Sequence, residues 1–69
     1  MTNNIKVLRA MKNISQEELA NKIQVSRQTI NAMEKGKYVP STLLALKLAQ
    51  FFETQVEAIF TLENEDKNI

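Results

Sequence analysis

Residues 15–35, with the sequence SQEELANKIQVSRQTINAMEK, predict two short helices joined by a tight turn. Ser15 is a favourable N-cap residue, and Glu18 three positions later completes a capping box, so a helix is expected to begin here. Ser26 supplies a second N-cap for the next helix. Apolar side chains recur at helical spacing, at Leu19, Ala20 and Ile23 in the first helix and at Ile30 and Met33 in the second.

The contact between these two helices is expected to be close and steeply crossed. Ala20 lies at the crossing, where a larger side chain would hold the two backbones apart, and Val25 would fill the elbow. This order of helix, turn and helix is the helix-turn-helix pattern. It leaves outside the core the residues that a recognition helix would present to a DNA groove: Arg27, Gln28, Thr29, Asn31 and Ala32.

The first turn of the second helix carries side chains suited to reading bases. In this class of motif, that end of the helix enters the major groove. Gln28 has the groups for a bidentate pair with adenine, Arg27 those for guanine, and the Thr29 methyl group fits thymine. The alternative interpretation is that the three residues are solvated polar side chains on an exposed turn. The surrounding pattern favours DNA contact.

A wider set of positions matches one family pattern in its joint spacing: Gln16, Glu18-Leu19-Ala20, Val25 to Ile30, Glu34, Gly36, Pro40-Ser41 and Ala45-Leu46-Lys47. With these residues the chain, from about Ile5 to Phe60, resembles the Cro/C1-type helix-turn-helix family, also called the Xre family. Among its members it is most similar to short stand-alone regulators of the cytolysin-repressor kind. The resemblance implies a compact, lambda-repressor-like DNA-binding domain.

One residue departs from the family pattern. Gln24 stands where the family usually has glycine, because the turn requires a left-handed backbone. Glutamine adopts that conformation at a cost of roughly 1–2 kcal/mol. We therefore expect Gln24 to be left-handed and slightly strained.

The resemblance also implies roles for individual residues. Base-contacting positions of the family correspond to Arg27, Gln28 and Ala32, and Ala32 offers only van der Waals contact. A partly buried salt bridge is expected between Arg9 and Glu34, so Arg9 orders the scaffold rather than touching DNA.

Further contacts are expected with the DNA backbone, where they position a protein without reading sequence. Gln16 begins the helix whose amide groups point at a phosphate in family complexes, and its side chain would add a donor. The alternative for Gln16 is an ordinary first-turn residue, and for the lysines a solvated face. The expected set is Gln16, Ser26, Asn31, Lys35, Lys37 and Tyr38.

The remaining chain completes an all-α, five-helix domain. The first helix is expected to open from an Asn cap with Ile5, Leu8 and Met11 inward, Gly36 to end the third, and Ser41 to cap the fourth. Thr54 and Glu57 repeat the capping-box signature for a short fifth helix. Residues 1–62 form the predicted domain, with the helix-turn-helix at 15–35, a short extended segment around Phe60 to Leu62, and a polar tail at 63–69.

Charge is distributed unevenly along the chain. Residues 1–40 hold seven Lys or Arg against three Glu, which gives +4, whereas residues 41–69 hold two Lys against five acids, which gives −3. The sum is the formal net charge of +1. The basic half contains the predicted recognition helix, as a DNA-facing surface requires.

The residue inventory excludes most other functions. The 69-residue chain has no His, no Cys and a single Gly, so it offers no nucleophile–base pair, thiolate metal site or glycine-rich loop. We expect no enzyme activity, no cofactor, no metal and no small-molecule ligand. The lack of cysteine suits a reducing cytoplasm, and no apolar run is long enough to cross a membrane.

Three functions remain. The first is a sequence-specific regulator, a repressor that binds a pseudo-palindromic operator as a homodimer. The others are an antitoxin-like protein-binding module, which the short tail disfavours, and an adaptor that no longer binds DNA, which the absence of acids from Arg27 to Ala32 disfavours. Surplus apolar side chains are assigned to the dimer interface: Leu43, Phe51, Phe60 and Leu62. The alternative for Phe60 is a place in the monomer's own core.

Overall fold

A computed structural model describes residues 1–67 as a mostly helical domain with one small pair of strands. The strands are β1 (Thr2–Asn3) and β2 (Phe60–Thr61). The helices are α1 (Ile5–Lys12), α2 (Gln16–Ile23), α3 (Arg27–Glu34), α4 (Thr42–Phe51), α5 (Val56–Ile59) and α6 (Asn64–Lys67). The helical fold with its helix-turn-helix is as predicted.

Three serine caps fix the beginnings of the central helices. The Ser15 hydroxyl accepts the backbone N–H of Glu18 at 3.0 Å, and the Glu18 carboxylate accepts the backbone N–H of Ser15 at 3.0 Å, which completes the predicted capping box. The Ser26 and Ser41 hydroxyls accept the N–H groups three residues ahead in α3 and α4, at 3.1 and 3.2 Å. The sequence therefore places these three helix starts correctly.

A left-handed residue follows each of the first four helices. Gln24 follows α2 with φ 62° and ψ 47°, as expected from its place in the turn. Gly36 follows α3 with φ 73°, and the Lys37 N–H behind it bonds to the Ala32 carbonyl at 2.9 Å. Asn13 after α1 and Glu53 after α4 are also left-handed, which the sequence did not indicate.

The core lies between α1 to α5 and is closed by β2. Its fully buried large side chains are Ile5, Leu19, Ile30, Met33, Leu48 and Ile59. Ala20 is also buried, and α2 packs against both α3 and α4. The two helices of the helix-turn-helix thus share one core with α1, α4 and α5.

The predicted count of five helices is wrong, because the polar tail contains the short helix α6. Its first turn is held by the Asp66 carboxylate, which accepts the backbone N–H of Glu63 at 2.9 Å. The amino group of Met1 also contacts Glu63 and Asp66, at 2.8 and 2.7 Å. The last part of the predicted tail, residues 68 and 69, lies outside the described residues.

The N-terminal segment differs from the sequence interpretation as well. Thr2 and Asn3 form β1, which pairs antiparallel with β2 so that Asn3 lies opposite Phe60. Asn4 holds the N-cap position of α1 without a side-chain bond, and the Asn3 side chain instead accepts the Ile5 N–H at 3.2 Å. The extended segment predicted around Phe60 is thus one strand of a two-stranded sheet. The other strand, β1, was not predicted from the sequence.

Two further expectations about helices are wrong. Met11 is 77% exposed, because α1 ends at Lys12 and its inward side is occupied by Ile5, Leu8 and Arg9. Thr54 does not cap α5: the N-cap position falls on Gln55, with no side-chain bond. The backbone N–H of Thr54 instead bonds to the Ala49 carbonyl and helps to end α4.

Candidate nucleic-acid interface

The face of α3 opposite its buried side carries a row of outward residues. Ile30 and Met33 are fully buried. At about 100° of rotation per residue, the positions furthest from them follow the spacing i, i+3, i+4 and i+7. They are Gln28, Asn31, Ala32 and Lys35, the first and last exposed and the middle two half-buried. Such a row is the form in which a recognition helix enters a major groove.

The first turn of α3 is held by its own cap. Besides accepting the Thr29 N–H, the Ser26 hydroxyl shares a hydrogen bond of 2.9 Å with the Thr29 hydroxyl. The Thr29 hydroxyl is therefore engaged, and its methyl group is what remains for a base. Arg27 and Gln28 in the same turn are exposed. No acid lies in this turn, so nothing there opposes the approach of a polyanion to the positive end of the helix.

Arg9 and Glu34 form an ion pair between α1 and α3. The Arg9 Nε donates to Glu34 Oε2 at 2.6 Å and the second guanidinium nitrogen donates to Oε1 at 3.1 Å. A third donation from Arg9 reaches the Ile14 carbonyl at 3.0 Å. The side chains are 14% and 7% exposed. Glu34, the acid that α3 carries, is thus neutralised inside the protein.

The charge on Glu34 is stabilised by its neighbours. Burial acts to raise the pKa of its carboxyl group, but hydrogen bonds from Arg9 and Gln16 and the positive charge of Arg9 outweigh burial and lower that pKa. The pKa of Arg9 is raised, chiefly by its hydrogen bonds to Glu34. Both partners therefore remain ionised at neutral pH.

Gln16, at the start of α2, belongs to the same cluster. Its Nε2 donates to Glu34 Oε1 at 3.0 Å and to Asn31 Oδ1 at 3.2 Å. An amide nitrogen carries two hydrogens, so both donors of this side chain are used within the protein. The Gln16 side chain thus has no free donor left for the phosphate contact expected of it.

A surface depression lies between the starts of α2 and α3. Its volume is about 290 Å³, and it is lined by Arg9, Ser15, Gln16, Glu17 and Arg27. Arg27 and the N-terminus of α2 contribute positive charge to this depression, Arg9 is neutralised by Glu34, and Glu17 adds one opposing charge. Arg27 is thus close to the beginning of α2 as well as to the groove-facing row of α3.

The remaining predicted backbone contacts lie at the opposite end of α3. Lys35 holds its C-cap position, and the left-handed turn at Gly36 directs the chain onward through Lys37 and Tyr38. All three side chains are exposed. Cations therefore lie at both ends of α3, with Arg27 at its beginning and Lys35 and Lys37 at its end.

Residues 5–59 match the helix-turn-helix family. The chain belongs to the Cro/C1-type helix-turn-helix family. It is 53% identical over 66 residues to an uncharacterized HTH-type transcriptional regulator of Methanocaldococcus jannaschii, covering 96% of this chain and 100% of the relative. The HTH-type regulator YgzD of Bacillus subtilis is 50% identical with the same coverage. A regulator of Archaeoglobus fulgidus is 47% identical, covering 96% and 93%.

This helix-turn-helix family consists of regulators and not of enzymes, in agreement with the residue inventory. Residues 1–67 contain no group of three or more acidic side chains that could hold a metal ion. None of the helices described is long and apolar enough to span a membrane.

The residues assigned to a dimer interface do not share one environment. Leu43 and Leu62 are exposed, whereas Phe60 is buried in the core of the monomer, which is the alternative given for it from the sequence. Phe60 faces inward because β2 closes the core beside Ile59. Phe51 is half-buried, with its ring 5.1 Å from that of Phe52 and the Lys12 ammonium 5.3 Å above it.

Sequence reasoning missed an apolar groove beside β2. It has a volume of about 240 Å³, and its apolar lining includes Met1, Val39, Pro40, Ala45, Leu46, Val56 and Phe60. Leu46 and Val39 are both exposed. The signal for Leu46 in the sequence is its spacing, because it lies one helical turn after Leu43, which is assigned to the dimer interface.

Proposed function

We propose that this helix-turn-helix protein is a sequence-specific, cytoplasmic transcriptional repressor that binds a pseudo-palindromic operator as a homodimer. The observation that carries the proposal is the arrangement of α3. Cations lie at both of its ends, and its acid, Glu34, is turned inward onto Arg9. A helix in this arrangement is suited to lie against the polyanionic groove of duplex DNA.

Base reading is assigned to the first half of α3. Gln28 lies at the centre of the exposed side, where its amide fits an adenine edge. Arg27 reads guanine or, from its place beside the depression at α2, contacts a phosphate. The Thr29 methyl group and Ala32 supply apolar contact.

Backbone contacts are assigned to the two ends of the interface. The DNA backbone beyond the end of α3 is contacted by Lys35, Lys37 and Tyr38. At the beginning of α3, Ser26 contacts the DNA backbone. The N-terminus of α2, including Gln16, receives a phosphate through its backbone amides, because the Gln16 side-chain donors are already used. Asn31 completes the set. Such contacts fix the position of the protein on DNA and make its affinity fall with salt.

A homodimer is proposed because one recognition helix makes too few base contacts to be selective. Joining two half-sites multiplies the discrimination. The surface that we propose joins the two protomers is called the apolar edge and consists of Val39, Leu43, Leu46 and Leu62. All four are exposed, and two of them line the groove beside β2. Apolar surface of this kind on a small domain favours association.

The test is a gel-shift titration with the DNA upstream of the protein's own gene and a scrambled duplex of equal length. We expect a discrete shifted band for the upstream DNA at protein concentrations at least tenfold lower than for the scrambled DNA. Equal binding to both duplexes would contradict sequence specificity, and no binding at low salt would contradict DNA binding itself. A footprint with two protected half-sites would support the dimer.

A further inference from the structure

The side-chain amide of Asn31 stands at the end of a chain of hydrogen bonds that begins in the protein interior. Arg9 donates to Glu34, Gln16 donates to Glu34 at 3.0 Å, and Gln16 donates to Asn31 at 3.2 Å. These residues come from α1, α2 and α3. Asn31 itself lies on the outward row of α3, between Gln28 and Lys35.

The direction of each bond in this chain follows from chemistry. An ionised carboxylate only accepts hydrogen bonds, so Gln16 must turn its nitrogen toward Glu34. The second hydrogen of that nitrogen points at Asn31, so the atom of Asn31 that receives it must be the oxygen. The orientation of both amides is thus set by the charge on Glu34, which Arg9 in turn holds in place.

The nitrogen of Asn31 is consequently directed away from Gln16. Across residues 1–67, no buried side-chain nitrogen or oxygen lacks a hydrogen-bond partner. The Asn31 Nδ2 has no partner among those residues, so it reaches solvent. Free asparagine turns either face of its amide to a ligand, whereas Asn31 is restricted to presenting its donor.

We propose that Asn31 is an orientation-locked donor that hydrogen-bonds an acceptor oxygen or nitrogen of DNA, with Gln16 as its positioning residue. The inference rests on the proposed function, because it assigns a specific polarity to one contact of the DNA-binding face. Phosphate oxygens and purine N7 share the required acceptor chemistry. Gln16 thus acts through Asn31 and not by its own side-chain contact with DNA.

A double-mutant cycle on DNA affinity tests the coupling between the two residues. Gln16→Met keeps the length of the side chain and removes its amide. We expect Asn31→Ala to weaken binding about tenfold in the wild-type background and less than threefold beside Gln16→Met. The second effect is smaller because Gln16→Met has already removed the hydrogen bond that orients Asn31. If the two effects multiply, Gln16 and Asn31 act independently and the proposal is overturned. Lys37→Ala is the control, and its effect should multiply with that of Gln16→Met.

Two duplex modifications identify the acceptor. A neutral methylphosphonate at the contacted phosphate should abolish the effect of Asn31→Ala if the acceptor is a phosphate, and 7-deazapurine should do so if it is a base. An Asn31→Ala effect that survives both modifications at every position of the half-site contradicts a direct contact. Thermal unfolding of each variant shows whether the domain remains folded.

A measurement on the free protein separates this inference from the proposed function. Side-chain amide resonances report hydrogen exchange with solvent for each residue. We expect slow exchange for the Gln16 NH2 group and fast exchange for the Asn31 NH2 group, with the Gln16 protection lost in Glu34→Met, which removes both acceptor oxygens. Fast exchange at Gln16 together with slow exchange at Asn31 would reverse the polarity and overturn the proposal, whether or not the protein binds DNA.

Discussion

Arg9 and Glu34 are joined by two hydrogen bonds from one guanidinium group, 2.6 and 3.1 Å long, across the contact between α1 and α3. The same guanidinium donates to the Ile14 carbonyl just ahead of α2. One side chain therefore ties the first helix to both members of the helix-turn-helix. Gln16 also donates a hydrogen bond to Glu34. A substitution of Arg9 or Glu34 should therefore alter both stability and DNA binding.

The first prediction concerns pH. The pKa of Glu34 is lowered in the folded state from its ordinary value of 4.5. Its stabilising contribution is therefore complete above that value and is lost as pH falls through the lower folded-state pKa. Glu34→Gln should lower the free energy of unfolding by roughly 1–3 kcal/mol at pH 7, because it leaves Arg9 without an anionic partner. Urea unfolding from neutral to acid pH should show this difference shrinking.

The control for that series is Glu65→Gln, which changes an exposed acid of α6. It should change stability by no more than about 0.5 kcal/mol at neutral pH. If the difference in free energy of unfolding between the wild type and Glu34→Gln stays constant down to acid pH, that difference does not come from ionisation of Glu34.

The second prediction concerns the turn. Gln24 is left-handed, with φ 62°, and its side chain accepts a hydrogen bond of 3.4 Å from Lys47 at the surface. An exposed bond of that length contributes little, so Gln24→Gly should be neutral or raise the free energy of unfolding by up to ~1 kcal/mol. Gln24→Ala keeps the backbone strain and loses the bond, so it should not stabilise. A clear drop in Tm for the glycine variant would assign a larger role to Lys47.

The sequence predicted the centre of this fold better than its ends. Ser15, Ser26 and Gly36 act through bonds between neighbours in the chain, so their positions alone fix where helices begin and end. The pairing of Asn3 with Phe60 joins the two ends of the domain. A two-residue strand carries no periodic signal, and neither polar Thr2-Asn3 nor Phe60-Thr61 indicates its partner.

The same distinction holds for the candidate site. The exposed residues of α3 follow from helical periodicity, and the Arg9–Glu34 pair was available from the family resemblance. The bonds from Gln16 to Asn31 and Glu34 depend on how α2 crosses α3, because they connect residues of two helices. For Phe60 the sequence leaves the core and an interface both open, because an apolar residue near a chain end fits either until β2 is placed.

The third prediction separates base reading from backbone contact. Gln28→Ala should weaken operator binding by about 1–3 kcal/mol and relax preference at one or two base pairs in each half-site. Lys37→Ala should weaken binding to all sequences alike and reduce the slope of log affinity against log salt by about 1. Titrations against a panel of single-base operator variants at several salt concentrations measure both. If Gln28→Ala leaves both affinity and base preference unchanged, Gln28 does not contact bases.

The last prediction concerns the apolar edge of Val39, Leu43, Leu46 and Leu62. Leu46 is 56% exposed beside the groove at β2, and a carboxylate there would be desolvated by any partner packed on it. Leu46→Glu should therefore convert the dimer to a folded monomer at micromolar concentration, as measured by sedimentation. Leu62→Glu should act in the same direction, since Leu62 is exposed directly after β2.

Val7→Glu provides the matched control, because Val7 is 57% exposed on α1 and does not line the groove. It should leave the dimer intact. In the proposed dimer the two α3 helices stand about 34 Å apart, one turn of DNA, so Leu46→Glu should lose affinity for the full operator and keep that for a single half-site. A wild-type protein that sediments as a monomer at micromolar concentration would refute the dimer, and dissociation by Val7→Glu alone would move the interface to α1.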